Sequence, residues 1–381
     1  MEHAGTVAAG RPALVVRPRG LHLDEPRVRV GGEAVAAALF DVATFLAGAA
    51  PLLLAAGARP HLYLPKIESA DEAALWSDVL DAVETALGLE PGTVVVSVLV
   101  ETVGGVVELD AIVYALRARV TALNAGRWDY LFDFVRCAGS DARATLPERG
   151  RLSMDLPFLV AYQRRIVEVA HRRGAAAIGG MAPAAPADGA VGPLSADVVR
   201  AVVADKRREA ALGFDGAVVA HAGMTDAVRE AFATTAVERA APAGAAPAAH
   251  ALAAHAPVEA ILDLGDTWHG PLAVSGLREA VAVATRYLDS WLGGRGLVTI
   301  AGRPEELSCV EIARALLWSW VQRGVALDDG THLTPERFAA ELAEAAGERR
   351  TTAAALLGEL VGRSELSDDV VPLAMTLIEP S

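Results

Sequence analysis

Cysteine is scarce: the 381 residues contain two, Cys137 and Cys309, which excludes a disulfide framework and a cysteine-rich metal site. A reduced, cytoplasmic protein is the expectation that follows. Aromatic residues make up only 5% of the chain, and much of the 53% hydrophobic fraction is alanine, which favours helices packed closely on other elements. Basic residues are in deficit too. With 34 Lys and Arg against 48 Asp and Glu, the formal net charge is −14, which argues against a nucleic-acid partner or an anionic membrane surface. An anionic ligand must then be met by a local cluster of Arg, Lys or metal. There is no Walker A loop, GxGxxG fingerprint or GxSxG elbow, so NTP, dinucleotide and serine-hydrolase readings have no motif. Met1–Gly10 lacks the basic start and apolar core of a signal peptide. Val42–Ala58 is an uncharged, mostly apolar run, but it contains Gly48, Pro51 and Gly57 and falls short of the roughly 20 strongly apolar residues of a membrane span. It is expected to be a buried helix.

What is present is an alternation of periods. Short β-rich runs fall at Ala13–Arg17, His61–Pro65, Thr93–Val100, Val120–Asn124, Ala175–Ile178 and Gly216–Ala220, and helical patterns such as Asp71–Leu87 and Leu109–Arg119 lie between most of them. Strands apolar on both faces, alternating with helices, predict α/β architecture with a parallel sheet of the (β/α) barrel type. A closed (β/α)8 barrel needs eight strands and six are counted, so the barrel is expected to be incomplete at its N-terminal side. The predicted organisation is a disordered start (1–12), a barrel portion (13–228), an Ala/Pro-rich loop or linker (229–263) and a C-terminal all-helical domain (264–381).

In such a barrel, functional groups sit at the C-terminal ends of strands. The first run ends in Arg17-Pro18-Arg19-Gly20, the second in Pro65-Lys66-Ile67-Glu68, the third at Glu101, and the fourth near Gly126-Arg127-Trp128-Asp129. Two carboxylates at neighbouring strand ends, with an Arg and a Lys close by, suit a hard divalent cation holding an oxo acid; Mg²⁺ commonly takes one or two carboxylates and completes its shell with water and substrate oxygens. The alternative is that Glu101 and Asp129 form rim salt bridges with Arg17 and Arg127. Lys66 could face substrate or be solvated, and Trp128 could wall a pocket or pack in the core. His22, His61 and His221 lie near strand ends without metal-ligand spacing.

The segments LVVRPRGLHL, HLYLPKIES, ALWSDV, VLVET and LNAGRWDYLFDFV are similar, in order, to the malate synthases of the shorter, A-type class. AIGGMAP, ADKRREAALGFDGAVVAHAGM, SGLREAVAVATRYLDSWLGGRG and VEIARALLWSWV extend the resemblance from about Ala13 to Leu333. It implies a TIM barrel, a C-terminal helical plug and Mg²⁺-dependent condensation of acetyl-CoA with glyoxylate, giving malate and CoA. It also implies that Glu101 and Asp129 are the metal carboxylates, that Arg17 binds glyoxylate and stabilises the enolate, and that backbone N–H groups near Gly126–Asp129 hold the glyoxylate carboxylate. Met181 and Pro183 would border the CoA channel.

Two departures stand against a simple transfer. Where the family has its aspartate base, an ungapped alignment places Glu306, one methylene longer. The family's long N-terminal region, with two barrel strands, has no counterpart before Arg17, so a homo-oligomer or a partner chain is expected to supply the missing strands. Another acyl-CoA or 2-oxo acid, a CoA-thioester C–C lyase, and a non-catalytic accessory subunit remain open.

Overall fold

The computed structural model describes residues 13–139, 145–184, 194–240, 258–264, 270–347 and 351–377. The expected disordered start lies outside them, as do residues 241–257 of the expected linker.

Six parallel strands form the main sheet: β1 (Val15–Val16), β2 (His61–Leu64), β3 (Val95–Val100), β4 (Val120–Ala125), β5 (Ala176–Ala182) and β6 (Gly216–Val219). They pair in chain order, β1 to β6, so each predicted strand run takes its place beside the next. Strand β3 is buried at every position, as a parallel strand covered on both faces must be. Side chains two residues apart share a face, and this period builds the interior in layers. His61 Nε2 lies 2.8 Å from Ser97 Oγ and 3.2 Å from Thr121 Oγ1. Above them the Tyr63 hydroxyl bonds the side chain of Asn124. Continuing the same period from Ser97 through Leu99 brings Glu101 to the mouth.

Helices follow the strands: α1 (Ala37–Ala55), α2 (Ala70–Leu87), α3 (Arg127–Ala138), α4 (Pro157–Arg172), α5 (Ala196–Leu212) and α6 (Thr225–Ala240). Helix α2 shows the local logic. Ser69 Oγ accepts the Glu72 N–H at 3.2 Å to cap its start, and Gly88 at φ 64° ends it in the left-handed conformation. The barrel boundary predicted between residues 228 and 229 falls inside α6. The Ala- and Glu-bearing segment there carries the helix on to Ala240 before the low-complexity stretch begins.

Helix α1 corrects a second expectation. Only Ala37, Ala38, Val42, Leu46 and Ala50 are buried, while Phe40, Leu52 and Leu54 are exposed, Leu52 to 72%. By length and composition it could cross a membrane, yet its buried stripe recurs every fourth residue from Ala38 to Ala50, as on a helix lying against a core. Among the described residues neither β1 nor β6 has a second strand neighbour, so both are sheet edges.

The C-terminal region is helical, with α7 (Val274–Leu292), α8 (Leu307–Arg323), α9 (Pro335–Ala346) and α10 (Thr352–Gly362). Every residue of α8 from Ser308 to Val321 is buried. Trp320 Nε1 donates to the Leu146 carbonyl at 2.8 Å, tying α8 to the barrel.

At the opposite end of the sheet, Glu84 is buried beneath Arg119, whose Nη1 donates to Glu84 Oε1 at 2.8 Å; the Val94 and Gly92 N–H groups donate to it at 2.7 and 2.8 Å. Burial pushes this carboxyl up, but Arg119 and the two amides outweigh it and hold it below its ordinary value. A depressed native value means stability that is full above the unfolded pKa and is lost as pH falls through the native one. Glu84→Gln should therefore destabilise by roughly 3 kcal/mol at pH 7, with the deficit shrinking towards pH 4. Urea denaturation at pH 7, 5 and 4 checks this, and an equal deficit at all three contradicts it.

Candidate functional site

Four successive strand ends and one C-terminal segment converge. Glu101 follows β3, is fully buried, and accepts the Lys66 backbone N–H on Oε1 at 2.9 Å. Arg17 Nη2 stands 3.7 Å from the same oxygen. Lys66 Nζ donates to Asp129 Oδ1 at 2.5 Å. Lys66 holds φ 59°, left-handed without being glycine, a strained conformation of the kind concentrated at functional sites. Of the two expected rim pairs, Arg17–Glu101 forms, whereas Asp129 pairs with Lys66 instead of Arg127.

Tyr162 sets the spacing of the two carboxylates. Its hydroxyl donates to the Val100 carbonyl at 2.5 Å and accepts the Gly126 N–H at 2.8 Å, clamping the end of β3 to the end of β4. Gly126 is required at this approach, because a Cβ there would lie 2.7 Å from Glu101 Cβ and 3.3 Å from its Oε2. Asp129 stands in the first turn of α3, where the helix dipole favours a negative charge.

The electrostatics divide the pair. Burial, then the charge of Asp129, pushes Glu101 above the ordinary carboxylate range. Burial pushes Asp129 up as well, but Lys66 outweighs it and holds Asp129 low. For Lys66 the pull of burial is overcome by Asp129 and Glu101, so it remains an ammonium. Glu101 Oε2 is buried with no hydrogen-bond partner. An orphaned carboxylate oxygen beside a second carboxylate fits a hard divalent cation. Among the described residues there is no group of three or more His, Cys, Asp and Glu, so water and substrate oxygens would complete the shell.

Glu306 comes from the other end of the chain. The hairpin Val298–Ile300 and Arg303–Glu305 turns through Ala301 and Gly302, both at positive φ, and delivers Glu306 to the start of α8. Arg149 Nη2 donates to Glu305 Oε2 at 2.9 Å inside the protein and anchors the hairpin to the barrel. Glu306 lines two cavities, one of 1030 Å³ and one of 450 Å³, which also share Arg17, Asp129 and Ser308. Trp128, Gly126, Met181 and Pro183 line the larger cavity, and Lys66 lines the smaller. Behind the larger one, buried Lys206 donates to the Gly180 carbonyl at 2.5 Å and to both Glu209 oxygens at 2.9 Å. A Cβ on Gly179 would lie 1.9 Å from Glu209 Oε2, so only glycine fits that wall.

Of the three histidines near strand ends, His22 lines the smaller cavity. His61 sits in the polar interior layer, His22 Nε2 lies 3.2 Å from Asp369 Oδ2, and His221 Nδ1 accepts the Gly223 N–H at 3.1 Å. Sequence reasoning missed Tyr63, Asn124, Tyr162 and Arg149. Strand period two, counted down from Glu101 and across to His61, marks Tyr63 as inward-facing; Tyr162 and Arg149 lie in a helix and a short turn that carry no such signal.

Tyr162→Phe removes the hydroxyl clamp and leaves the Gly126 N–H and the Val100 carbonyl with only their 3.2 Å bond to each other. The expected loss is about 1–3 kcal/mol, read by chemical denaturation, with no change in helix content by circular dichroism.

Comparison with known proteins is consistent across the chain. A family model described as malate synthase, TIM barrel domain, matches residues 13–253, and one described as malate synthase, C-terminal, matches residues 272–360. The malate synthase of Myxococcus xanthus (strain DK1622) is 37% identical over 337 residues, 88% of this chain and 61% of that protein. Malate synthase A of Escherichia coli (strain K12) is 36% identical over 346 residues, 91% of this chain and 63% of that protein. The malate synthase of Streptomyces clavuligerus is 37% identical over 345 residues, 88% of this chain and 62% of that protein. The chain thus spans about three fifths of the length of these curated relatives.

Proposed function

Because the chain belongs to the malate synthase family, we propose that it catalyses a Mg²⁺-dependent condensation of acetyl-CoA with glyoxylate, giving malate and CoA. The observation that carries this reading is the convergence of Arg17, Glu101 and Asp129 at neighbouring strand ends, with Glu306 facing them from α8. Glu101 and Asp129 would hold the cation, which when bound supplies Lewis-acid polarisation of the aldehyde oxygen. The chain's own residues do the rest. Glu306 accepts a proton from the acetyl methyl group, and the Arg17 guanidinium stabilises the negative charge that develops on the thioester oxygen. The enolate carbon bonds to the aldehyde carbon of glyoxylate, whose carboxylate is held by N–H groups at the start of α3. Hydrolysis of the malyl thioester then releases malate and CoA. Lys66 keeps Asp129 ionised and orients Glu101 through its backbone N–H.

A second reading, an accessory subunit or a partner-dependent enzyme, is favoured by the two sheet edges and by the exposed apolar side of α1. On it, self-association or a partner chain carrying further strands covers those edges.

Thiol release by the purified chain with acetyl-CoA, glyoxylate and Mg²⁺ is expected to be abolished by EDTA and to yield malate by mass spectrometry. Glu101→Ala should lower the rate roughly a thousandfold or more. An unchanged rate in that variant contradicts the mechanism. Light scattering is expected to give a mass above that of the 39.5 kDa chain; a monodisperse, fully active monomer contradicts the covered-edge expectation.

A further inference from the structure

The larger cavity contains a second cationic feature that the proposed reaction leaves unused. Arg127 and Arg149 both stand against Trp128, with their guanidinium carbons 3.9 Å and 5.0 Å from its ring centroid. All three residues line the 1030 Å³ cavity together with Arg17 and Asp129. Arg149 spends one nitrogen on Glu305, and its Nε and Nη1 are buried without a partner. The Arg127 guanidinium has no hydrogen bond or ion pair among the described residues. The nearest opposing charge it feels, Asp205, is engaged by Lys206 at 3.1 Å and by Arg208.

The carboxylate that meets this pair, Glu305, bonds Arg149, so the Arg127 guanidinium stands in the cavity wall without an acid of its own. The guanidinium is half-buried and opens on the cavity, where an acidic group of a ligand can reach it. Stacking on the indole holds the guanidinium plane in place, and its fork suits the two oxygens of a carboxylate or phosphate.

We propose that Arg127, braced on Trp128 and backed by Arg149, is an anion-binding residue that takes a carboxylate or phosphate group of the ligand filling this cavity. The inference rests on the condensation reading, which places two sources of such a group here: the phosphates of the acyl-CoA and the carboxylate of the 2-oxo acid. Arg17 is left free to serve the reacting carbonyl.

Isothermal titration calorimetry of the full chain with Mg²⁺ tests this, using pyrophosphate, CoA, 3′-dephospho-CoA and glyoxylate as probes against wild type, Arg127→Met and Arg127→Lys. Arg127→Met should weaken the probe that carries the bound group by about 10- to 100-fold, and Arg127→Lys should recover part of the loss. A loss confined to glyoxylate assigns the carboxylate. A loss for pyrophosphate and both coenzymes assigns the phosphates. Thermal melting identifies a misfolded variant, in which case Arg127→Gln replaces the Met form. Equal affinities in wild type and variant, or no binding of any probe to wild type, overturn the proposal. Arg127-dependent binding without thiol release overturns the condensation reading and leaves the anion site standing.

Discussion

Two carboxylates brought together in the dark of a barrel mouth are the constraint on which the rest of this structure depends. Glu101 and Asp129 end up adjacent because β3 and β4 are parallel neighbours in register and because Tyr162 bonds the end of one to the end of the other. Like charges at that separation cannot both be ionised in a low-dielectric site without compensation. The chain meets this with Lys66, set down between them from β2 in a strained left-handed conformation, and with Arg17 from β1. Four strands thus meet one electrostatic demand, and the order of the sheet fixes which residues can do so.

The second half of the site is brought in by a different device. Glu306 precedes a helix that is buried along nearly its whole length, so its position is set by the packing of α8 and not by a loop. The hairpin before it is pinned by the buried Arg149–Glu305 pair, and Trp320 pins the helix's far end. A buried ion pair is weak evidence of stability but good for fixing register. Both cavities reach Glu306, so its side chain borders the same open space as Arg17 and Asp129.

Much of this was legible in the sequence, for physical reasons that differ by residue. The six strands announced themselves because burial on both faces leaves mostly apolar runs such as VVSVLV, broken only by Ser97, and Glu101 announced itself by ending one. Lys66 on Asp129 could not be read, since it depends on a backbone conformation that composition does not encode. Neither could the missing partner of Arg127, because a sequence shows which charges exist and not which of them meet. Helix α1 was misjudged for the complementary reason. Its composition is that of a buried helix, and only the fold shows that one side of it is packed and the other is exposed.

That edge bears on the chemistry as well as on solubility. Strand β1 is two residues long and, among the described residues, is paired on one side only, with Leu14 and Val15 exposed just before Arg17. The guanidinium is steadied by Glu101 at 3.7 Å and by the ring of Tyr63 at 5.9 Å, both contacts made from the interior side. Arg17 follows directly on this short strand. A strand laid against β1 would lengthen its pairing and hold that backbone. Because a displacement on the order of 1 Å can cost roughly a hundredfold in rate, covering the edge and positioning Arg17 are one physical problem.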